Sequence, residues 1–206
     1  MKGSKYGSLR CYHCMPLDQV SFGEIVADPK YSTDEYFARS YRWLLRKIGF
    51  WPHFFAVGND ESVGLTGYDN QWRVYLGNDW SADGTTKRVY RRKGEAPNNV
   101  LLVYPFDALP SPVFSDYGNW HIVLNTDVDN EELSDRVCRL VLRPSWSATD
   151  WLRHASRNPC DIQMVVPSFD TRKACEVWVR NQATRRKLER MGFRNVIVKR
   201  LPVPKW

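Results

Sequence analysis

The sequence predicts an α+β domain, and three observations indicate that class. Short runs rich in β-branched and aromatic residues recur along the chain between turns of Gly, Pro, Asn and Asp. Between these runs, a few segments carry apolar residues at helical intervals behind Ser or Asn caps. The chain has 206 residues, of which 43% are apolar, and this length suits one hydrophobic core. We therefore predict a single domain spanning residues 1–206, with many short strands and three or four small helices.

The first half of the chain combines one predicted helix with several strands. Ser32 and Glu35 have the spacing of a capping box, and apolar residues recur at helical intervals until Gly49 ends the run. Residues 9–14 form the first predicted strand, followed by a short helix or an irregular connector over 15–26. Further strands are predicted at 53–57, 63–66, 72–76 and 100–104, with a long basic hairpin or loop over 78–99.

The second half has clearer helix caps. Ser147 or Thr149 is predicted to cap a short helix, and Asn181 and Gly192 are predicted to bound a second helix over 182–191. The acidic stretch 127–135 is predicted to face solvent. Strands are predicted at 137–142, 162–166, 175–179 and 196–200, the middle two separated by a Pro-Ser-Phe-Asp turn.

The positive charge is concentrated at the C-terminal end. Segment 180–206 holds nine Lys or Arg residues against one acid, Glu189, which gives +8, so the rest of the +7 chain carries about −1. A basic segment on a nearly neutral body favours binding to a polyanion, most commonly nucleic acid. The alternative interpretation of a charge run alone is a solvated helix face.

Targeting signals and metal motifs are not evident in the sequence. There is no apolar run of about 18 residues and no charged-then-apolar leader, so we predict a cytoplasmic protein without a membrane partner. The five cysteines include Cys11 and Cys14 on either side of His13, but a zinc site requires a second such pair. We therefore predict reduced thiols and no metal.

Several polar residues are candidates for function. Gln163 enters an otherwise apolar strand, where a polar group must either find a hydrogen-bond partner or face a ligand. The other candidates are His13 at the end of the first strand, Trp120 and His121 after a Ser-Asp turn, and Arg153, His154 and Arg157 before Gln163. Each of these residues, taken alone, is more often structural than functional.

Four segments together resemble one family. Residues 13–20 (His-Cys-Met-Pro-Leu-Asp-Gln-Val) are similar to a His-x-Thr-x-x-Asp-Asn-Leu pattern, and 52–56 (Pro-His-Phe-Phe-Ala) to a Pro-aromatic-aromatic-Phe-Ala strand. Phe114-Ser115-Asp116, with His121 behind it, is similar to a Phe-Thr-Asp turn. From Gln163 onward, a strand, a turn, a second strand, a short helix and a last strand follow in order. In this order the segments resemble DarT-type nucleic-acid ADP-ribosyltransferase toxins.

The resemblance implies a fold, an activity and a set of residues. The fold would be an ADP-ribosyltransferase-like split mixed β-sheet with short helices. The protein would use NAD as a substrate to mono-ADP-ribosylate a base in single-stranded DNA or RNA. It would be the toxin of a toxin–antitoxin or phage-defence system, with an antitoxin or immunity protein as partner. The implied residues are Gln163 and His121 for catalysis; His13, Asp18, Gln19, Tyr41 and Trp120 for NAD; and Trp151, Arg153, His154, Arg157, Arg185, Arg186 and Lys187 for nucleic acid.

The chain departs from the family at its catalytic position. Gln163 stands where the family has a glutamate, and Gly58 where it has an arginine. A carboxylate stabilises an oxocarbenium-like ribose and deprotonates the acceptor, and a neutral amide does neither. Either another base such as His121 or His154 acts, or the chain is a catalytically weakened variant, or the alignment is displaced. Glu176, the nearest carboxylate, is a weaker candidate than Gln163.

Two other functions remain open. Asn181 through Gly192-Phe193 has the spacing of the last motif of acetyl-CoA-dependent acetyltransferases. The glycine-rich loop that would hold the pyrophosphate of acetyl-CoA is missing before it. The other alternative is a non-catalytic nucleic-acid-binding or inhibitor protein that uses the basic segment.

Overall fold

One large sheet organises the molecule. The computed structural model describes residues 9–26, 39–60, 99–125, 130–158, 161–179 and 181–199. The strands within these ranges are β1 (Arg10–Pro16), β2 (Glu24–Val26), β3 (His53–Gly58), β4 (Asn99–Pro105), β5 (Val113–Asp116), β6 (Ile162–Val166), β7 (Ser168–Asp170), β8 (Glu176–Val179) and β9 (Val196–Val198). Seven of them form one sheet in the order β5-β6-β3-β1-β4-β8-β9, while β2 and β7 pair separately. All pairings are antiparallel except β8 with β9.

Five short helices accompany the sheet in the described ranges. They are α1 (Arg39–Ile48), α2 (Tyr117–Asn125), α3 (Glu131–Leu142), α4 (Ala148–Arg157) and α5 (Gln182–Arg190). Gly49 ends α1 with a φ of 82°, which a residue with a side chain rarely adopts. Of the helices that the structure describes, none is long and apolar enough to cross a membrane. The described elements therefore form an α+β fold with a mostly antiparallel sheet.

Helices cover both faces of the sheet. On the first face, Trp151 of α4 and Leu188 of α5 share one core with Phe55 of β3, Leu102 of β4 and Phe169 of β7. On the second face, residues from α1, α2 and α3 pack against β3, β5 and β6; they include Leu44, Trp120, Val123, Cys138 and Val141. Helices α4 and α5 consequently lie on the same side of the sheet.

Most predicted elements that fall within the described ranges are confirmed. Strands near 9–14, 53–57, 100–104, 162–166, 175–179 and 196–200 are present with shifts of one or two residues at their ends. Ser147 caps α4 and Asn181 caps α5, as predicted. The capping box of Ser32 and Glu35, the strands at 63–66 and 72–76 and most of the loop at 78–99 lie outside the described residues.

Two predicted elements are wrong. Residues 137–142, predicted as a strand, form the second half of α3. Residues 131–135 form its first half, and Glu131 and Glu132 are exposed, as predicted for the acidic stretch. Asn130 caps this helix by accepting hydrogen bonds from the backbone of Glu132 and Leu133, and its buried positions follow helical spacing. The Pro-Ser-Phe-Asp turn is also more ordered than predicted, because Ser168–Asp170 forms β7 and pairs with β2.

Candidate nucleic-acid interface

A groove of about 340 Å³ follows the exposed side of α4. Asp150, Arg153, His154 and Arg157 line it together with Trp146 and Asn158. The first four residues are spaced by three or four positions, so they share one face of the helix. Trp151 and Ala155 lie on the opposite side, both at most 3% exposed, and anchor α4 to the sheet. The groove therefore sits on a helix whose position is fixed by the core.

The start of α4 is held by its cap. The backbone N–H and the hydroxyl of Ser147 both donate to Oδ2 of Asp150, at 3.0 and 2.7 Å. The backbone N–H of Asp150 donates back to Ser147 Oγ at 3.3 Å, which completes a capping box. Trp151 then packs parallel to Phe114 of β5, with an interplanar angle of 14°. These contacts fix the direction in which the groove residues project.

Trp146 forms the aromatic wall of the groove. Its ring lies 4.8 Å from that of Trp151 and 5.4 Å from that of His154, centroid to centroid. The guanidinium of Arg143 lies 4.2 Å from the Trp146 centroid, a cation–π contact. Arg143 also donates to Asp116 at the end of β5. A partly buried ion pair thus holds the cation that contacts the tryptophan ring.

The basic side chains along α4 differ in whether an acidic side chain already pairs with them. Arg153 donates to Asp150 at 2.8 Å, and Nε2 of His154 lies 3.7 Å from a carboxylate oxygen of Asp161. Arg157 is exposed and makes no hydrogen bond or ion pair within the described ranges. Arg157 is therefore the groove cation that is free to bind an anion.

The predicted basic residues of α5 lie apart from this groove. Arg185 donates to Glu189 at 2.8 Å, whereas Arg186 and Lys187 are exposed. Helix α5 packs beside β8 and β9, and three strands separate β8 from β6, which follows α4. The structure therefore places the two basic groups on one face of the sheet without joining them in one pocket. Asn181 and Gly192, the residues compared with acetyltransferases, cap α5 and end it with a φ of 102°.

Gln163, predicted to be catalytic, and His13, predicted to bind NAD, point to opposite faces of the sheet. Gln163 is 2% exposed and pairs across the sheet with Ala56 of β3 and Ser115 of β5. His13 lies on the other face, stacked on Phe55 at 4.8 Å. Because side chains alternate along a strand, the two residues face away from each other across the sheet. The described arrangement does not bring them together.

The remaining predicted NAD residues are also dispersed. Asp18 and Gln19 are exposed in a 3₁₀ turn after β1, at residues 17–19. Tyr41 and Trp120 are each 3% exposed and pack edge to face, 6.0 Å apart, in the core of the second face. His121, which was predicted to be catalytic, belongs to α2, and its side chain lies outside what the structure describes.

The structure does not bring Cys11 and Cys14, which are close in sequence, together in one site. Cys11 packs into the core of the first face, whereas Cys14 packs against the second, as the alternation along β1 requires. Within the described ranges, no group of three or more His, Cys, Asp or Glu side chains is placed to hold a metal ion. The described thiols are free cysteines, and burial raises the pKa of Cys138 to about 11.

A charged network on the second face was not anticipated from the sequence. Tyr12 donates to Asp60 at 2.7 Å, and Arg10 donates to Glu176 at 2.9 Å. Glu176 also accepts a hydrogen bond from the Trp178 indole at 2.8 Å. The alternation along β1, which puts Arg10 and Tyr12 on one face, is the signal that sequence reasoning missed. The network shows that Glu176 serves in an ion pair.

No family model matches the chain, and neither does any curated protein or solved structure. The interpretation of the interface rests on the contacts and charges of the described residues. Among these, the α4 groove combines an aromatic wall with a free cation.

Two histidines of the first face make a testable prediction about pH. His13 donates through Nδ1 to the Phe54 carbonyl at 2.8 Å, and His53 packs at its edge, 5.9 Å away. Burial lowers the pKa of each to about 4. The pKa of these histidines in the unfolded chain is about 6.5. Between about pH 6.5 and pH 4, the unfolded chain therefore binds protons at these histidines that the folded chain does not bind. Stability should fall as pH drops through this window, by roughly 2 kcal/mol per histidine near pH 5.

Urea unfolding of the wild type and of His53→Phe at about pH 7.5 and about pH 5 measures this effect. The variant keeps an aromatic ring beside Phe169 but removes one titrating group. It should lose roughly half as much stability on acidification. An equal loss in both proteins would mean that His53 titrates normally in the folded state.

Proposed function

We propose that the protein binds single-stranded nucleic acid through the α4 groove. The observation that carries the proposal is that the Trp146 ring and the free guanidinium of Arg157 line the same groove. Unpaired bases stack on aromatic rings, and Arg or Lys side chains hold the neighbouring phosphates. Arg153 adds a second cation on the same helix face, although Asp150 partly neutralises it.

A single strand fits this groove better than a duplex. The groove has a volume of about 340 Å³, and its aromatic wall is half-buried and set back beside His154. Only a base that has left its stack reaches such a wall, whereas duplex bases remain paired and stacked. We therefore expect a clear preference for single strands over a duplex of equal length.

The direct test replaces Arg157 with Gln. Loss of one phosphate contact should weaken binding of a labelled single strand by about 3- to 10-fold at moderate salt. The slope of log affinity against log salt should fall by roughly 0.7, because one counterion fewer is released from a single strand. Fluorescence anisotropy at several salt concentrations measures both quantities.

Arg136→Gln is the matched control. Arg136 is an exposed arginine on α3, on the other side of the sheet, and has no hydrogen bond or ion pair within the described residues. Both variants lose one positive charge, so only a local contact distinguishes them. Equal weakening by the two variants would indicate a diffuse charge effect and would overturn the assignment of the groove.

A second proposal is mono-ADP-ribosyl transfer from NAD to a base, on an ADP-ribosyltransferase-like fold. One observation favours it besides the sequence resemblance. Gln163 and Ser115 lie side by side on β6 and β5, two buried polar side chains, and Ser115 Oγ makes no hydrogen bond within the described residues. A ligand that reached this position could supply the partner that the Ser115 hydroxyl lacks among the described residues. The cytoplasmic toxin role and an antitoxin partner belong to this same proposal.

Labelled NAD tests the second proposal. The protein is incubated with NAD and, separately, with single-stranded DNA, single-stranded RNA and protein acceptors. Transfer to a nucleic acid supports the proposal. No transfer to any acceptor, together with no NAD binding, overturns it and leaves the binding function of the α4 groove untouched. Gln163 is 2% exposed, so transfer would also require the layer above it to open.

A further inference from the structure

A second groove lies on the same side of the sheet as α4. It has a volume of about 420 Å³ and lies between the start of β2, the end of β7 and the turn after α5. Its lining includes Phe22, Thr171, Arg172, Phe193, Arg194 and Asn195. Like the α4 groove, it combines an aromatic ring with arginines. Phe22, Arg172 and Arg194 were not singled out as candidates in the sequence analysis.

Phe22 forms an exposed platform in this groove. Phe22 is 47% exposed, and its ring meets Phe193 edge to face at 5.2 Å. Phe193 is 4% exposed and belongs to the core, so it fixes the position of the Phe22 ring. A Cβ atom at Gly192 would lie 3.3 Å from the Phe22 ring, so the absence of a side chain there leaves room for it.

The groove also contains two arginines, one free and one held in place by an ion pair. Arg194 is exposed and makes no hydrogen bond or ion pair within the part of the chain that the structure describes. Arg172 is held in place by Asp170 through contacts of 2.7 to 3.1 Å. Arg194 is therefore free to bind a phosphate, while Arg172 contributes a fixed guanidinium beside it.

The two grooves lie at the same end of the sheet, where β6, β8 and β9 begin. Strands β6 and β8 run in the same direction, because four antiparallel pairings connect them through β3, β1 and β4. The α4 groove lies just before β6 begins, and the Phe22 groove surrounds the starts of β8 and β9. Four strand spacings separate β6 from β8, which is about 19 Å. A short stretch of single strand spans that distance.

We infer that the Phe22 groove binds a second nucleotide of the same single strand that occupies the α4 groove. Its base stacks on Phe22, and its phosphate is bound by Arg194. The inference rests on the proposed nucleic-acid binding and adds the path of the nucleic acid. The single strand of nucleic acid runs along the end of the sheet where β6, β8 and β9 begin. Oligonucleotides long enough to reach both grooves consequently bind more tightly than shorter ones.

The test compares two oligonucleotide lengths against two variants. A single strand of about three nucleotides occupies one groove, and one of about ten reaches both. Phe22→Ala and Arg194→Gln should each weaken binding of the longer strand by about 5- to 10-fold, because each removes a stacking or phosphate contact. Phe22→Tyr keeps the ring and should bind like the wild type, and thermal melting confirms that the variants fold.

The outcomes separate this inference from the proposed function. If Phe22→Ala and Arg194→Gln bind the longer strand as tightly as the wild type while Arg157→Gln weakens it, the second groove is not on the path. If Arg194→Gln has the same effect as Arg136→Gln, the contribution of Arg194 is only overall charge. If the wild type binds neither length, the proposed function fails together with the inference.

Discussion

Replacing Gln163 with Glu is expected to destabilise the fold by about 3–5 kcal/mol at neutral pH. Gln163 is 2% exposed, and its neighbours across the sheet are Ala56 and Ser115, which offer no positive charge. A carboxylate in such a place loses its hydration, so its pKa should rise well above that of a free glutamate. Folding then requires either a buried charge or an extra proton.

The pH dependence of that cost identifies its cause. A glutamate with a raised pKa in the folded state binds a proton that the unfolded chain releases above its own pKa of about 4.3. The stability difference between Gln163→Glu and the wild type should therefore widen as pH rises from about 5 to about 7.5. Gln163→Met, which keeps the volume and removes the amide, is the control for packing. Urea unfolding of the three proteins at both pH values measures the difference.

This prediction also bears on the transferase proposal. If Gln163→Glu is as stable as the wild type and transfers ADP-ribose from NAD, position 163 faces an accessible site, and its burial in the described arrangement is not the functional state. If Gln163→Glu unfolds at neutral pH while Gln163→Met does not, Gln163 is a buried structural residue. The resemblance to DarT-type toxins would then stop short of catalysis.

The elements that the sequence predicted well are those with strong local signals. The strand at 100–104 is a continuous apolar run, and Ser147 and Asn181 are caps followed at once by helical periodicity. The run Val-Cys-Arg-Leu-Val-Leu at 137–142 satisfies both strand and helix patterns. Its cap, Asn130, lies seven residues upstream and decides for the helix. Strand β7 has three residues and depends on pairing with β2, over 140 positions away, which no local pattern indicates.

The candidate site was predictable only in part. Arg153, His154 and Arg157 lie on one face of α4 because of their spacing, which the sequence shows. The ring that completes the groove, Trp146, precedes the helix and is oriented by Arg143, which depends on a residue 27 positions away. That His13 and Gln163 point to opposite faces follows from strand register, and register depends on which strands are neighbours.

Asp116 is the residue through which the fold controls the groove, and its replacement should have the second large effect. It is 9% exposed, accepts a hydrogen bond from the Asn119 backbone at 2.9 Å and forms an ion pair with Arg143. Asp116→Ala removes a helix cap and leaves Arg143 without its counter-charge, so it should cost about 3 kcal/mol. Asp116→Asn keeps an oxygen for the cap and should recover about 1 kcal/mol of that.

Binding distinguishes this effect from simple destabilisation. Without Asp116, the Arg143 guanidinium loses the ion pair that holds it over the Trp146 ring and keeps only its contacts with the Trp146 and Trp151 rings, so the aromatic wall is less firmly oriented for stacking. Both Asp116 variants should therefore bind a short single strand several-fold more weakly under conditions where they are fully folded. Asp135→Asn is the control: it removes a carboxylate of α3 that forms ion pairs with Lys47 of α1 and Arg139 of α3, and it should leave binding unchanged. If Asp116→Asn binds like the wild type, Trp146 is held by its contact with Trp151 alone, and the ion pair serves only the fold.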